Sequence, residues 1–324
     1  MKKKIVNAVK KLFGRSEMSA LIPILIIMLV MAFVNPNFYK YNNLMDILRT
    51  TSFSFIAAVP LTMAMITGDR DMSVGATTAL GGIVCAWGLL KYDLGIFPSV
   101  MLSVVAGLII GVVKCYLLTN LKLPTYMVTL GLQYAINGFI LITTAGVSIV
   151  GFSEQFQKFG QGKFLGIYYT VYLAIALGVV AHIVMTRTKF GREIYAVGGN
   201  IETARLAGIN TKKIKNITNV LTSVFAVLTG VVYASRFNAA MASTGSGTEM
   251  TLMASIIIGG TANAGGTGTI FGTFCGCILL AAIKNALVVA HVSTYWQNLV
   301  FGTVLIISLI IDKIRTDSAR GRLK

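Results

Sequence analysis

The chain has 324 residues, with 28 Lys or Arg against 11 Asp or Glu, for a formal net charge of +17. Hydrophobic residues make up 55% and charged residues only 12%, against roughly 25% charged in a soluble domain. This excludes a disordered chain, a collagen, a coiled coil and an ordinary soluble enzyme, and leaves a polytopic membrane protein.

The chain opens on Lys2, Lys3, Lys4, Lys10, Lys11 and Arg15, followed by an apolar run near 18–34. A secretory signal has the same order. Here, however, Ala20 to Val34 is long and no clear small-x-small cleavage site precedes Asn35-Pro36-Asn37. The run is expected to remain as a first span. Further apolar runs fall near 50–68, 72–90, 98–118, 125–147, 165–186, 216–236, 250–262, 269–291 and 294–311. A helix of about 20 residues crosses about 30 Å of hydrocarbon. The runs are continuous rather than alternating, which predicts helices and not outer-membrane strands.

Between the second and third runs stands ITGDRDMSVGA, residues 66–76. A charge at mid-membrane costs about 2.5–3.5 kcal/mol on insertion scales. Asp69, Arg70 and Asp71 are therefore either at the cytoplasmic surface, in a simple turn, or a mutually neutralising set in a polar pathway or gate. Gly68 and Gly75 permit a tight turn or a broken helix, and Asp71 before Ser73 resembles an N-cap for the third span. Within later runs, Gln133, Asn137 and Asn285 either line a pathway or join helices by hydrogen bonds.

The longest polar loop runs from about Arg187 to Lys215. Loops of this length inside a compact domain are usually functional. Its centre, GGNIETARLAG (198–208), reads as a short helix. Gly198 and Gly199 make a turn, Asn200 is an N-cap, Glu202 suits the helix dipole, and Gly208 takes the left-handed C-terminal position. Two turns of helix are not stable alone in water, so this one needs support, either from its own protein or from a docked partner.

The run near 250–262 is short, because Gly259 and Gly260 follow its strongly apolar part, and it is either re-entrant or spanning. The segment GGTANAGGTGTIFGTFCG (259–276) has small residues at 268, 272 and 276, a spacing that lets membrane helices approach closely, within one subunit or across a dimer. It is not a phosphate loop. A P-loop needs Lys-Ser/Thr after its last Gly, and the chain contains none. Cys85, Cys115, Cys275 and Cys277 lie in apolar stretches and read as small packing residues. Two histidines on different runs, His182 and His291, give no basis for a metal centre or a serine triad. Tyr92-Asp93 and Gly68-Asp69 hold the two aspartate motifs of intramembrane proteases only in reversed order. Lys284 snorkels, pairs with a carboxylate or touches a solute.

The C-terminus is basic again, with Lys313, Arg315, Arg320, Arg322 and Lys324. The positive-inside rule places both termini in the cytoplasm and so requires an even count, about ten spans or an even number with a broken helix. On that count only Lys40, Lys91, Lys158 and Lys163 lie outside. Arg49, Arg70, Lys114, Arg236 and Lys284 lie in or at the edge of the membrane, and the remaining Lys and Arg are cytoplasmic. The net charge is then topology charge and attraction to anionic lipid, with no nucleic acid implied. Spans two to five and seven to ten begin from opposite faces, the arithmetic of an inverted repeat. The expected fold is an all-α polytopic membrane protein forming a single transmembrane domain over 1–324.

GDRDMSVGA, GREIYAVGGNIETARLAGI, LMASIIIGGTANAGGTGTIFGTFCG and VSTYWQNLVFGTVLIISLIID occur in this order. Together they resemble the permease subunits of bacterial ribose-type ABC importers, which carry ribose, xylose, galactose, arabinose or autoinducer-2. The resemblance runs from about Asn42 to Asp312. It implies a multi-pass permease of the bacterial cytoplasmic membrane that is no enzyme itself and works with a second, identical or related, permease subunit. An extracytoplasmic sugar-binding protein delivers the solute, and a cytoplasmic ABC ATPase holds ATP and Mg. No cofactor or metal is implied in this chain. By match to the family loop, Gly198, Gly199, Asn200, Ala204, Arg205, Leu206 and Gly208 form the ATPase-coupling helix. Asp71, Ser73, Val74 and Gly75 match the motif after the second span. Gly259, Gly260, Gly265, Gly266, Gly268 and Gly272 match a Gly-rich element expected to pack helices. The family usually has Gly-Ile where this chain has Asp69-Arg70, which bears on the substrate but not on the fold. Asp69, Arg70, Asp71, Ser73, Gln133 and Asn137 are the candidates for the translocation path or gate. Nucleosides and autoinducer-2 are alternative cargoes. A secondary transporter, coupled to ions through Asp69, Asp71, Glu249 or Lys284, is the competing class.

Overall fold

The computed structural model describes residues 18–293 and isolated helical positions as far as 310. Both basic termini lie outside the described residues, as does most of the tenth apolar run. The helices are α1 (Met18–Val34), α2 (Tyr41–Ile66), α3 (Val74–Ala86), α4 (Ile96–Cys115), α5 (Thr125–Thr144) and α6 (Glu154–Gln161). They continue with α7 (Tyr169–Arg187), α8 (Lys189–Gly199), α9 (Ile201–Leu206), α10 (Thr211–Phe237), α11 (Thr248–Ile258) and α12 (Ile270–Val289). α3 and α4 each run on through a π-helical turn, Trp87–Lys91 and Tyr116–Asn120. Two minute antiparallel pairs join β1 (Ile149–Val150) to β4 (Ala239–Ala240), and β2 (Lys163–Phe164) to β3 (Ile167–Tyr168).

Among the described residues, seven helices are long and apolar enough to cross a membrane: α2, α3 with its π turn, α4 with its π turn, α5, α7, α10 and α12. α1 is a shorter apolar helix containing Pro23. The bundle has two poles. At one, the Gly266 N–H donates to the Ile66 carbonyl (2.8 Å) and Tyr195 Oη donates to the Gly268 carbonyl (2.8 Å). This pole gathers the 67–73 segment, α8, α9 and the 259–269 turn. At the other, Arg49 donates to the Gly160 carbonyl (2.8 Å) and lies over the Tyr168 ring, while Gln161 donates to the Arg236 carbonyl (2.8 Å). That pole gathers α6 and the strand pairs, and it holds two of the arginines that the sequence places at a membrane edge.

α3 is the axis of the molecule. Every residue from Val74 to Ala86 is buried, and α10, α4, α5 and the 242–245 turn pack around it. Its sequence, VGATTALGGIVCA, is small and apolar on all sides, as a helix surrounded by other helices must be. Among the described residues α2 and α10 are also deeply packed, whereas α4, α5 and α7 keep most of their surface exposed. In a membrane those exposed apolar faces meet lipid or another subunit rather than water.

The short run near 250–262 resolves into α11, only 11 residues long. The chain leaves α10 at one pole, passes β4 and a 3-10 turn over Ala242–Gly245, and completes the passage to the other pole as α11. It is a composite crossing, part irregular and part helix. Such backbone survives at membrane depth only when protein surrounds it; here Gly245 and most of α11 are buried.

Candidate functional site

After Ile66 the chain does not stay at the pole. Gly68 turns it with φ +91°, and residues 69–73 dip back into the bundle. Asp71 reaches Ser223 through Lys114. Ser223 lies 12 residues into α10, about 18 Å along its axis at 1.5 Å per residue. The Asp71 carboxylate takes an ion pair from Lys114 and accepts hydrogen bonds from the Ser73 N–H (2.8 Å) and Oγ (2.6 Å). Lys114 also donates to Ser223 Oγ (2.9 Å). Asp69 is engaged just as fully. Lys215 Nζ (2.9 Å) and Thr125 Oγ1 (3.0 Å) donate to its Oδ1, and Asn219 Nδ2 (2.9 Å) donates to its Oδ2. The neutralising set is thus built from lysines on other helices. Arg70 pairs with neither aspartate; it is exposed and donates to the Asn263 carbonyl (2.6 Å). Ser73 stands at the N-cap of α3 but makes no cap bond of its own, its hydroxyl being spent on Asp71.

The partners Lys114, Lys215, Asn219, Ser223 and Thr125 escaped the sequence reading. One signal for them was legible. Lys215, Asn219 and Ser223 recur every four residues, a polar stripe along one face of an otherwise apolar helix.

Deeper still, the start of α3 meets the start of α11. A Cβ on Gly75 would lie 2.2 Å from the Gly245 carbonyl oxygen and 2.3 Å from Glu249 Oε2, so only glycine fits. Two helix N-termini converge here, each with a positive dipole end. Asp71 stands just before the first turn of α3 and Glu249 within that of α11, as the dipoles favour. Glu249 is buried, accepts from Gln133 Nε2 (3.0 Å) through Oε1, and among the described residues has no hydrogen-bond partner at Oε2. Asn137 is half-buried one turn further along α5 from Gln133, on the same face. The path candidates therefore separate. Asp69, Asp71 and Ser73 form one buried network, Gln133 belongs with Glu249, and Arg70 faces outward. Lys284 is exposed on α12. Asn285 and Asn43 exchange hydrogen bonds of 2.8 and 2.9 Å, joining α12 to α2.

At the pole, α8 and α9 make a helical elbow. Asn200 caps α9 by accepting from the Glu202 and Thr203 N–H groups (3.0 and 2.9 Å), and Gly208 ends it with φ +80°. Ala204 is buried against the molecule, while Arg205 is exposed and Leu206 is 88% exposed. Support comes from α8. A Cβ at Gly198 would stand 1.7 Å from the Ile66 carbonyl oxygen and 2.7 Å from the Gly266 nitrogen, whereas Gly199 has open space. Tyr195 clamps the elbow to Gly268, and burial raises its phenol above the ordinary value, so it remains a donor at neutral pH.

The Gly-rich element packs inside the one chain. Gly259 and Gly272 bring α11 and α12 into backbone contact, Gly276 lies against the Ser255 carbonyl, and Gly268 packs on Thr261. Gly260, Gly265 and Gly266 all have positive φ (94°, 88° and 81°) and shape the turn that receives α8. Two cavities, about 440 and 530 Å³, lie on the flanks of the bundle. Their walls are apolar apart from His182 in the smaller and Gln155 in the larger. The four cysteines are buried and, among the described residues, form no disulfide.

These features define an all-helical, multi-pass membrane protein with an exposed helical elbow braced at one pole. A family model described as "branched-chain amino acid transport system / permease component" matches residues 43–309. The chain is 33% identical over 300 residues to the ribose import permease protein RbsC of Escherichia coli, covering 91% of this chain and 93% of the relative. It is 29% identical over 290 residues to the Bacillus subtilis RbsC, covering 89% and 90%. It is 29% identical over 312 residues to the autoinducer 2 import system permease protein LsrC of Klebsiella pneumoniae, covering 96% and 90%. No solved structure matches the chain. The chain belongs to the ribose-type branch of this ABC permease family, whose members are multi-pass proteins of the bacterial cytoplasmic membrane.

Proposed function

We propose that this protein is the translocation subunit of an ATP-driven importer for a simple sugar, ribose or a related pentose or hexose. Family membership supports the class, and the RbsC relatives, named for ribose import, support the cargo. One observation carries the mechanism: an exposed, well-capped α9 that, among the described residues, its own chain braces from behind, through Ala204 and α8. Arg205 and Leu206 are left free to dock in a groove of a cytoplasmic ATPase. That partner binds ATP and Mg and supplies the force.

The reading carries a topology with it. The chain makes ten crossings, α11 with its irregular entry counting as one, and both basic termini and α9 lie in the cytoplasm. The α6 pole faces outward and receives solute from an extracytoplasmic binding protein. α3 is buried and the two flank cavities are lined mainly by apolar residues, which supports passage of the solute between two permease subunits rather than through one. Gln133 and Asn137 on the exposed helix α5 are the polar groups offered to it. A second cargo, autoinducer-2, is favoured by the LsrC relatives, and a nucleoside is a further alternative. An ion-coupled carrier is less well served, because Asp69 and Asp71 are already held by lysines. The test is ATPase activity of the reconstituted complex, screened against pentoses, hexoses, nucleosides and autoinducer-2. Stimulation by one sugar with its binding protein is expected, and stimulation by nucleosides alone would overturn the sugar assignment.

A further inference from the structure

The elbow grips the bundle in two places that lead to different halves of it. Behind α8, Tyr195 and Gly198 hold the 261–268 turn and the end of α2, and through them α11 and α12. Ahead of α9, the chain continues directly into α10, whose fifth residue is Lys215. Lys215 and Asn219 take Asp69, and Asp69 in turn takes Thr125, the first residue of α5. Among the described residues, Asp69 is thus a side chain that bonds both α10 and α5 to the segment leading into α3.

The two ion pairs differ in a way that separates their roles. Lys114 and Asp71 are 0% and 1% exposed, whereas Lys215 is 24% and Asp69 4% exposed. The inner pair is sealed from water and fixes α3 to α4 and α10. The outer pair sits at the mouth of the network, next to the elbow, where a displacement of α9 first arrives.

We propose that Asp69 is a tie that makes the entries of α3 and α5 follow α10 when the docking helix moves. The proposal rests on the importer reading above, and it assigns Asp69 and Lys215 as positioning residues for the coupling step. Without the tie, the elbow would still pull on α2, α11 and α12, but the start of α5, which carries Gln133 about two turns on and Asn137 about three, would lag behind.

The test uses the full permease, reconstituted in liposomes with its ATPase and binding protein, and reads solute accumulated per ATP hydrolysed. Co-purification of the ATPase reports assembly. D69N and K215M are each expected to lower the ratio at least about fivefold, with D69N/K215M no worse than either alone, while K215R retains it. A purely structural role would change yield without changing the ratio. Ratios equal to the parent in D69N and K215M would overturn the tie and leave the importer reading intact. A parent complex that hydrolyses ATP without accumulating any tested solute would instead count against the importer reading. Should a variant fail to assemble, spin labels at K122C and K213C on the parent decide the matter. The tie predicts one distance between them with and without nucleotide, and a change of several ångströms overturns it.

Discussion

Removing one member of the Asp71–Lys114 pair strands the other as a charge where water does not reach. Lys114→Met is therefore expected to cost about 3–5 kcal/mol, the scale for an orphaned buried ion, visible as lost thermal stability in detergent. The double variant D71N/K114M should recover much of it, and single variants that melt with the parent would show the pair to be unimportant. The glycines give a sharper contrast. Gly198→Ala drives a methyl into the Ile66 carbonyl, and overpacking against backbone costs about 1–3 kcal/mol. Gly199→Ala, one residue on, meets open space and has no positive φ to satisfy, so it should melt like the parent. At this scale the sequence was half legible. Asp69 and Asp71 were visible as charges needing neutralisation, because an apolar run makes any charge conspicuous. Which lysines neutralise them was not, since Lys114 and Lys215 are 43 and 146 positions distant from their partners, and no local rule joins residues so far apart.

At the scale of elements, α9 shows how a few residues specify a helix too short to stand alone. Asn200, Glu202 and Gly208 supply cap, dipole partner and stop, all readable from spacing. The brace behind it was not readable, because it depends on Gly198 and Gly266 meeting across the fold. Asn200→Ala should loosen α9 by about 1 kcal/mol. Arg205→Glu together with Leu206→Ala should reduce capture of the ATPase in co-purification while leaving membrane insertion intact. Undiminished capture would remove α9 from the docking surface. α11 was ambiguous for a physical reason. Its crossing is half irregular, and hydropathy counts apolar length without distinguishing a helix from a buried turn such as 242–245.

At the scale of the whole molecule, the bundle is a buried central helix wrapped by two halves and gripped at one pole by a single elbow. Composition and run length were enough for the all-helical membrane class. The central place of α3 was legible only in hindsight, in a sequence small and apolar on every side. The topology itself is open to a direct check: L206C should react with an impermeant thiol reagent only from the cytoplasmic side, and L165C only from outside. The measurement that bears most directly on the account is solute uptake into proteoliposomes by this polypeptide, with and without its ATPase and binding protein. Uphill accumulation of a pentose or hexose that requires both partners and hydrolysable ATP is the predicted result. Accumulation by the isolated chain, driven by an ion gradient and indifferent to ATP, would contradict it.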